Sequence, residues 1–127
     1  MTQPDRVRIL RDDNTCPELP IVERGGTARA VVWPGVGARL RSIHRITLGP
    51  GGRTVELRHP MEAVYYVMRG EATAVDPNDA SRQLLTSGSM AHIEPATRYV
   101  FEAGPEGADI IGGPCPADPA MYTHLKG

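Results

Sequence analysis

Apolar and polar positions along this chain alternate in short runs and never settle into a helical period. "RAVVW" leads into Pro34-Gly35, "RSIHRITL" into Gly49-Pro50-Gly51-Gly52, and "RTVELRH" into Pro60. "EAVYYVM" meets Arg69-Gly70, "EATAV" meets Asp76-Pro77-Asn78-Asp79, and "SMAHI" meets Glu94-Pro95. "RYVFEA" stops at Gly104-Pro105 and "ADII" at Gly112-Gly113-Pro114. Beyond stray three-residue matches, no stretch keeps apolar residues at i, i+3, i+4 and i+7 for long enough to make a helix. Short β-rich runs bounded by Gly, Pro, Asn and Asp predict strands. About eight of them at this spacing predict an all-β antiparallel sandwich or barrel. Residues 1–27 and 113–127, rich in Pro and charge, are expected to form arms lying over a core of about residues 28–112.

Composition narrows the picture. A chain of 127 residues makes one domain with a single core. Fourteen Gly and twelve Pro against one Phe and one Trp favour short strands and tight turns over long helices. The formal net charge is -1 with both signs interleaved, so no basic stripe is present to bind nucleic acid. No apolar run approaches the ~20 residues of a membrane helix. Met1 to Asp13 has charges and no apolar signal-peptide region, which sets the expectation of a soluble, cytoplasmic protein. Cys16 and Cys115 lie near opposite ends and form no zinc motif; they are either two reduced thiols or a clamp between the arms. The "PGVG" and "GPGG" stretches are turns, since a phosphate-cradling loop needs a helix after it.

Two stretches, "GGRTVELRHPMEAVYYVMRG" and "GSMAHIEPATRYVFEA", resemble the two motifs of the cupin superfamily. The first motif, G-x5-H-x-H-x3-E-x6-G, starts at Gly51 and ends at Gly70. It places Leu57 and His59 at the two histidines and Ala63 at the glutamate. The second, looser motif opens at Gly88, puts Pro95 and Ala96 near its P-x-G turn, and sets Tyr99 at its histidine. The resemblance implies a small cupin-type antiparallel β-barrel, a jelly-roll-like sandwich, spanning residues 1–127 as one domain with short terminal arms. It also implies a homodimer, because cupins commonly pair through an outer sheet, here offering Tyr66, Arg58 and Glu56. Of the four family ligand positions only His59 keeps its residue type. Leu57 and Ala63 have no donor atom, and a neutral tyrosine phenol is a poor ligand for a divalent metal. The usual metal site is therefore expected to be absent.

Strand alternation assigns the inner faces. Val55, Leu57 and His59 share one face, with Glu56 and Arg58 on the other. Ala63, Tyr65 and Val67 are expected inside, Tyr66 and Glu62 outside. His44 groups with Ile46 and Leu48, and Tyr99 with Phe101. For "SMAHI" both faces, Met90/His92 and Ala91/Ile93, fit an interior. His124, in the C-terminal arm, is expected in solvent.

Three functions fit these residues. In the first, a metal-independent enzyme with no cofactor acts on a small organic molecule of natural-product type. His59 carries protons near neutral pH, with Tyr99 or Tyr65 donating to a developing oxyanion and His44 assisting. Leu57, Ala63, Tyr65, His92 and Phe101 would line the substrate, and Arg98 would meet an anionic group at the rim. Isomerisation, elimination or cyclisation would suit such a site. In the second, His44, His59 and His92 converge as a relocated site for Fe, Mn or Zn in a dioxygenase or lyase. In the third, the chain binds a ligand without turnover. Fold alone does not choose among them.

Overall fold

The computed structural model describes residues 7–125. Among the described residues, six strands, all paired antiparallel, make up the sheet. They are β1 (Val22–Val32), β2 (Ile43–Thr54), β3 (Ala63–Val75), β4 (Arg82–Leu85), β5 (Met90–Ile93) and β6 (Val100–Pro114). Their order is β1-β2-β6-β3-β4, and β5 shares the edge of β3 with β4. The first half of β3 pairs with β5 and its second half with β4, while β6 runs along its other edge. The sheet does not close; it folds over itself as a jelly-roll sandwich. Two 3-10 segments, Pro34–Val36 and Pro119–Leu125, are the helical pieces among the described residues.

About eight sequence runs become five strands because three of the turn signals bend a strand instead of ending it, and β4 (Arg82–Leu85) is a sixth strand that none of the runs marked. "IHRITL" and "RT" belong to β2, "AVYYVM" and "EATAV" to β3, and "VFEA" and "ADII" to β6. The register breaks line up across the sheet, at Arg24/Gly26, Leu48/Arg53, Ala103/Ala108 and Gly70/Ala72. A seam of glycines runs through these breaks. Gly70 has φ +79, and a β-carbon on it would lie 2.1 Å from the carbonyl oxygen of Gly107. Bulges of this kind bend and twist a strand, and glycine permits them because neighbouring backbones touch. The paired part of β1 begins at Val22, ahead of residue 28, since Gly25 and Gly26 continue the ladder through the seam.

The interior follows the expected alternation. Leu57, Ala63, Tyr65, Val67, Tyr99 and Phe101 are buried, as are His44 and His59, while Glu56, Arg58 and Glu62 are exposed. Ile46, Leu48, Ala108 and Ile110 complete the centre. In β5 the register sets His92 opposite outward-facing Val64 and Met90 opposite Tyr66, so Ala91 and Ile93 form the inner face. Cys16 and Cys115 are unpaired and half-buried. No helix among the described residues is long and apolar enough to cross a membrane.

Two outcomes are expected from this architecture. Gly70→Ala combines a positive φ with a backbone clash and should lose at least about 3 kcal/mol or fail to fold. Gly51→Ala, at φ +69 with nothing within 4 Å, should lose only about 1–2 kcal/mol. Equal urea midpoints for the two variants would contradict the seam. The outer face of β3 and β5 exposes Val64, Met68 and Met90 beside half-buried Tyr66, and a homodimer through it is expected. Light scattering should give twice the chain mass at micromolar concentration for the native chain and a monomer for Met90→Lys.

Candidate active site

His59 lies just past the end of β2, on the strand-like segment that bridges Leu57 to Tyr99. The Leu57 N–H donates to the Tyr99 carbonyl at 2.8 Å and the Tyr99 N–H to the Leu57 carbonyl at 2.9 Å. The Ala96 N–H donates to the His59 carbonyl at 2.7 Å. Ala96 holds φ 66, the left-handed geometry that the glycine of the family's turn would supply without strain. This backbone clamp aims both side chains inward.

Inside, four side chains form one hydrogen-bonded line. Asp118 Oδ2 is 2.8 Å from His59 Nδ1, His59 Nε2 is 2.7 Å from the Tyr99 hydroxyl, and that hydroxyl is 2.6 Å from the Tyr65 hydroxyl. All four are buried, with exposures of 5% or less. One assignment of protons leaves every donor with an acceptor. An ionised Asp118 only accepts, so His59 carries its proton on Nδ1. Tyr99 then donates to Nε2, and Tyr65 donates to Tyr99. Burial, first, and the neighbouring phenol of Tyr65 push the Tyr99 pKa far up, and burial does the same for Tyr65. Both phenols therefore stay neutral donors.

Asp118 has a second task. Its Oδ1 accepts the Ala120 N–H at 3.0 Å, and its carbonyl accepts the Met121 N–H at 3.0 Å. It thus caps the segment Pro119–Leu125, which inserts Met121 into the core. Sequence reasoning placed this region in an arm and missed Asp118. An Asp-Pro step at the start of a helical turn is a capping signal, but nothing in it points to His59, far away in sequence.

His44 is fully buried but belongs to a different contact. Its Nε2 lies 2.7 Å from the Tyr122 hydroxyl, and its Nδ1 has no partner. Burial first, and then the proximity of a second imidazole, His59, push its pKa down to about 4. Tyr122 is itself pushed up, by burial first.

Two expected site residues fall elsewhere. His92 is more than half exposed and bonds Glu62 at 2.6 Å on the outer face, because its register with Val64 turns it from the interior. Arg98 is exposed, 3.7 Å from Glu56 and 3.3 Å from Asn78, at the rim of a hollow of about 190 Å³ that His92 and Tyr99 also line. The relocated trio His44, His59 and His92 therefore does not converge. No group of three or more His, Cys, Asp or Glu able to hold a metal occurs among the described residues. The donor set at the family positions does not fit a metal either. Both nitrogens of His59 are taken by Asp118 and Tyr99, and Leu57 and Ala63 offer no donor.

A groove of about 250 Å³ opens onto the Asp118–His59 end of the line, between Pro119–Leu125 and residues 56–59, with Ile21, Leu57 and Met121 in its walls. Three hollows of about 380–400 Å³ lie elsewhere on the surface, and none touches any of the four groups.

No protein-family model and no curated protein sequence matches the chain. Solved structures do. The polyketide cyclase RemF from Streptomyces resistomycificus superposes with TM-score 0.67 at 20% identity, over 92% of this chain and 94% of that one. An RmlC-like cupin from Shewanella frigidimarina gives 0.64 at 19% identity, over 92% and 96%. A predicted oxalate decarboxylase from Thermotoga maritima gives 0.65 at 19% identity, over 83% and 96%. The glycine-seamed jelly roll, the two sequence motifs and these superpositions agree: this chain is a small protein with the cupin fold.

Proposed function

We propose that the protein is an enzyme that moves a proton on a carbon beside a carbonyl of a small organic substrate, by isomerisation, elimination or ring closure. The observation that carries this reading is the buried line Asp118–His59–Tyr99–Tyr65. A carboxylate that holds Nδ1–H of an imidazole leaves Nε2 as a positioned base, the logic of the acid–base triads. The likeness to a polyketide cyclase agrees with this chemistry.

In the proposed step the Tyr99 O–H turns from His59 to the substrate's carbonyl oxygen. His59 Nε2 takes the proton from the adjacent carbon, and the C–H electron pair moves into the enolate. Asp118 stabilises the imidazolium that forms. The Tyr99 hydroxyl, backed by Tyr65, donates to the enolate oxygen; being neutral, both phenols serve as donors and not as bases. His59 then returns the proton at another carbon or to a leaving group. Access requires Met121 and Tyr122 to withdraw from the interior, while Asp118 stays at the base of their segment. His44 is uncharged at neutral pH and offers a hydrogen-bonding nitrogen instead of an imidazolium acid.

One observation favours a second reading, ligand binding without turnover: both nitrogens of His59 are engaged within a closed line. Asp118→Asn separates the two. It keeps size and a hydrogen bond but removes the charge that selects the tautomer. Solvent-deuterium incorporation into a panel of 1,3-diketones and aryl ketones should fall about 10²–10⁴-fold in Asp118→Asn. Tyr99→Phe should lower it by a smaller factor, with far-ultraviolet circular dichroism unchanged. No incorporation by the native protein across the panel would support the binder.

A second outcome concerns His44. Its folded pKa, about 4, lies below the ordinary 6.5, so between these values the unfolded chain binds more protons than the folded one. Its contribution is present above pH 6.5 and is lost as pH falls toward 4, on the order of 3 kcal/mol across the window. The urea midpoint should drop between pH 6.5 and 5 in the native chain and drop less in His44→Gln.

A further inference from the structure

Tyr122 is held by its own protein in the manner of a bound ligand. The segment that carries it lies outside the sheet and joins no strand ladder. Its ring packs on the indole of Trp33 at 5.0 Å between centroids and 33° between planes. The edge of His44 meets it at 5.7 Å and 70°, and its hydroxyl reaches His44 Nε2. The recess is built for this. Trp33 lies against Gly35, where any β-carbon would fall 2.2 Å from the indole Cζ2. The contact still leaves polar atoms of both rings unpaired: Trp33 Nε1, and His44 Nδ1 on the side of the imidazole toward Gly113, so Nε2 is the nitrogen that the recess presents.

We propose that the Trp33–His44 recess is a binding subsite for a hydroxylated aromatic ring of a small-molecule ligand, and that Tyr122 competes for it. The chemistry selects this class. A flat ring stacks on the indole. A hydroxyl satisfies the buried imidazole nitrogen, which a plain hydrocarbon would leave unpaired. A carboxylate would give up its hydration for a single contact with an uncharged imidazole, a poor exchange for a buried charge. Displacing Tyr122 also withdraws its segment from the interior, so filling the subsite and opening the way to Tyr99 are one event. The inference supplies a substrate class to the enzymatic reading and rests on that reading only in this respect.

The test is p-cresol binding to the full chain, read by the fluorescence of Trp33, the sole tryptophan, and by melting temperature. Tyr122→Ala removes the competitor and should bind p-cresol at least about tenfold more tightly than the native chain. The same variant should prefer p-cresol over toluene by about five- to tenfold, the share of the hydroxyl. Equal affinity for the two compounds would show only an apolar hole and would overturn the proposal, as would unchanged p-cresol affinity. Should Tyr122→Ala not fold, Tyr122→Phe carries the test: it keeps the ring, loses the hydroxyl, and should gain several-fold in p-cresol affinity, with no gain overturning the proposal. Binding is measured without turnover and without His59. Failure here leaves the His59 proton line standing, and loss of that line with p-cresol binding intact would sink only the enzymatic reading.

Discussion

The hydrogen bond between Asp118 and His59 is the interaction on which the interior depends. A carboxylate and an imidazole, both buried, are tolerable together and expensive apart, because removing one leaves the other desolvated with its main partner gone. This single contact fixes the His59 tautomer, which sets the direction of every proton in the Tyr99–Tyr65 line. It also ties the last described segment to the barrel, since the same carboxylate caps that segment. Position of the terminus and protonation of the core are thereby one variable.

A core that buries two histidines, two tyrosines and an aspartate would be unstable if these groups lacked partners. Here most of them satisfy one another, and the exceptions are few. His44 and Trp33, the two rings that pack against Tyr122, each keep one nitrogen without a partner, Nδ1 and Nε1. Unsatisfied polar atoms in an otherwise satisfied interior mark where packing has been subordinated to something else. In this protein two of them, on Trp33 and His44, belong to the rings that hold Tyr122, and the other two, Arg45 Nε and Asp109 Oδ1, sit in the ion-pair cluster of β2 and β6.

Much of the fold was legible in the sequence. Period-two alternation placed Leu57, His59, Ala63, Tyr65 and His44 inward, because side-chain direction in a strand is set locally. The number of strands was not, since a glycine that ends a strand and a glycine that bends one look alike until the neighbouring backbone is known. His92 shows the same limit: the alternation in "SMAHI" fits either face, and only pairing with β3 decides. The site was half legible. His59 and Tyr99 could be paired through the family motif, whereas Asp118 and Tyr122 reach the interior through tertiary placement of a segment whose own pattern reads as a polar arm.

The glycine seam has a consequence for how the molecule yields. β2, β3 and β6 each continue through it, so no sheet of the sandwich possesses a backbone of its own. Partial unfolding that released one layer would tear the ladders of the other, so β2, β3 and β6 open together, while the short edge strands β4 and β5, each held by β3 alone, can part from it first. A sandwich joined by loops could breathe at its hinge between layers. This one has no such hinge, and its low-energy fluctuations are confined to those edge strands and the chain outside the ladder.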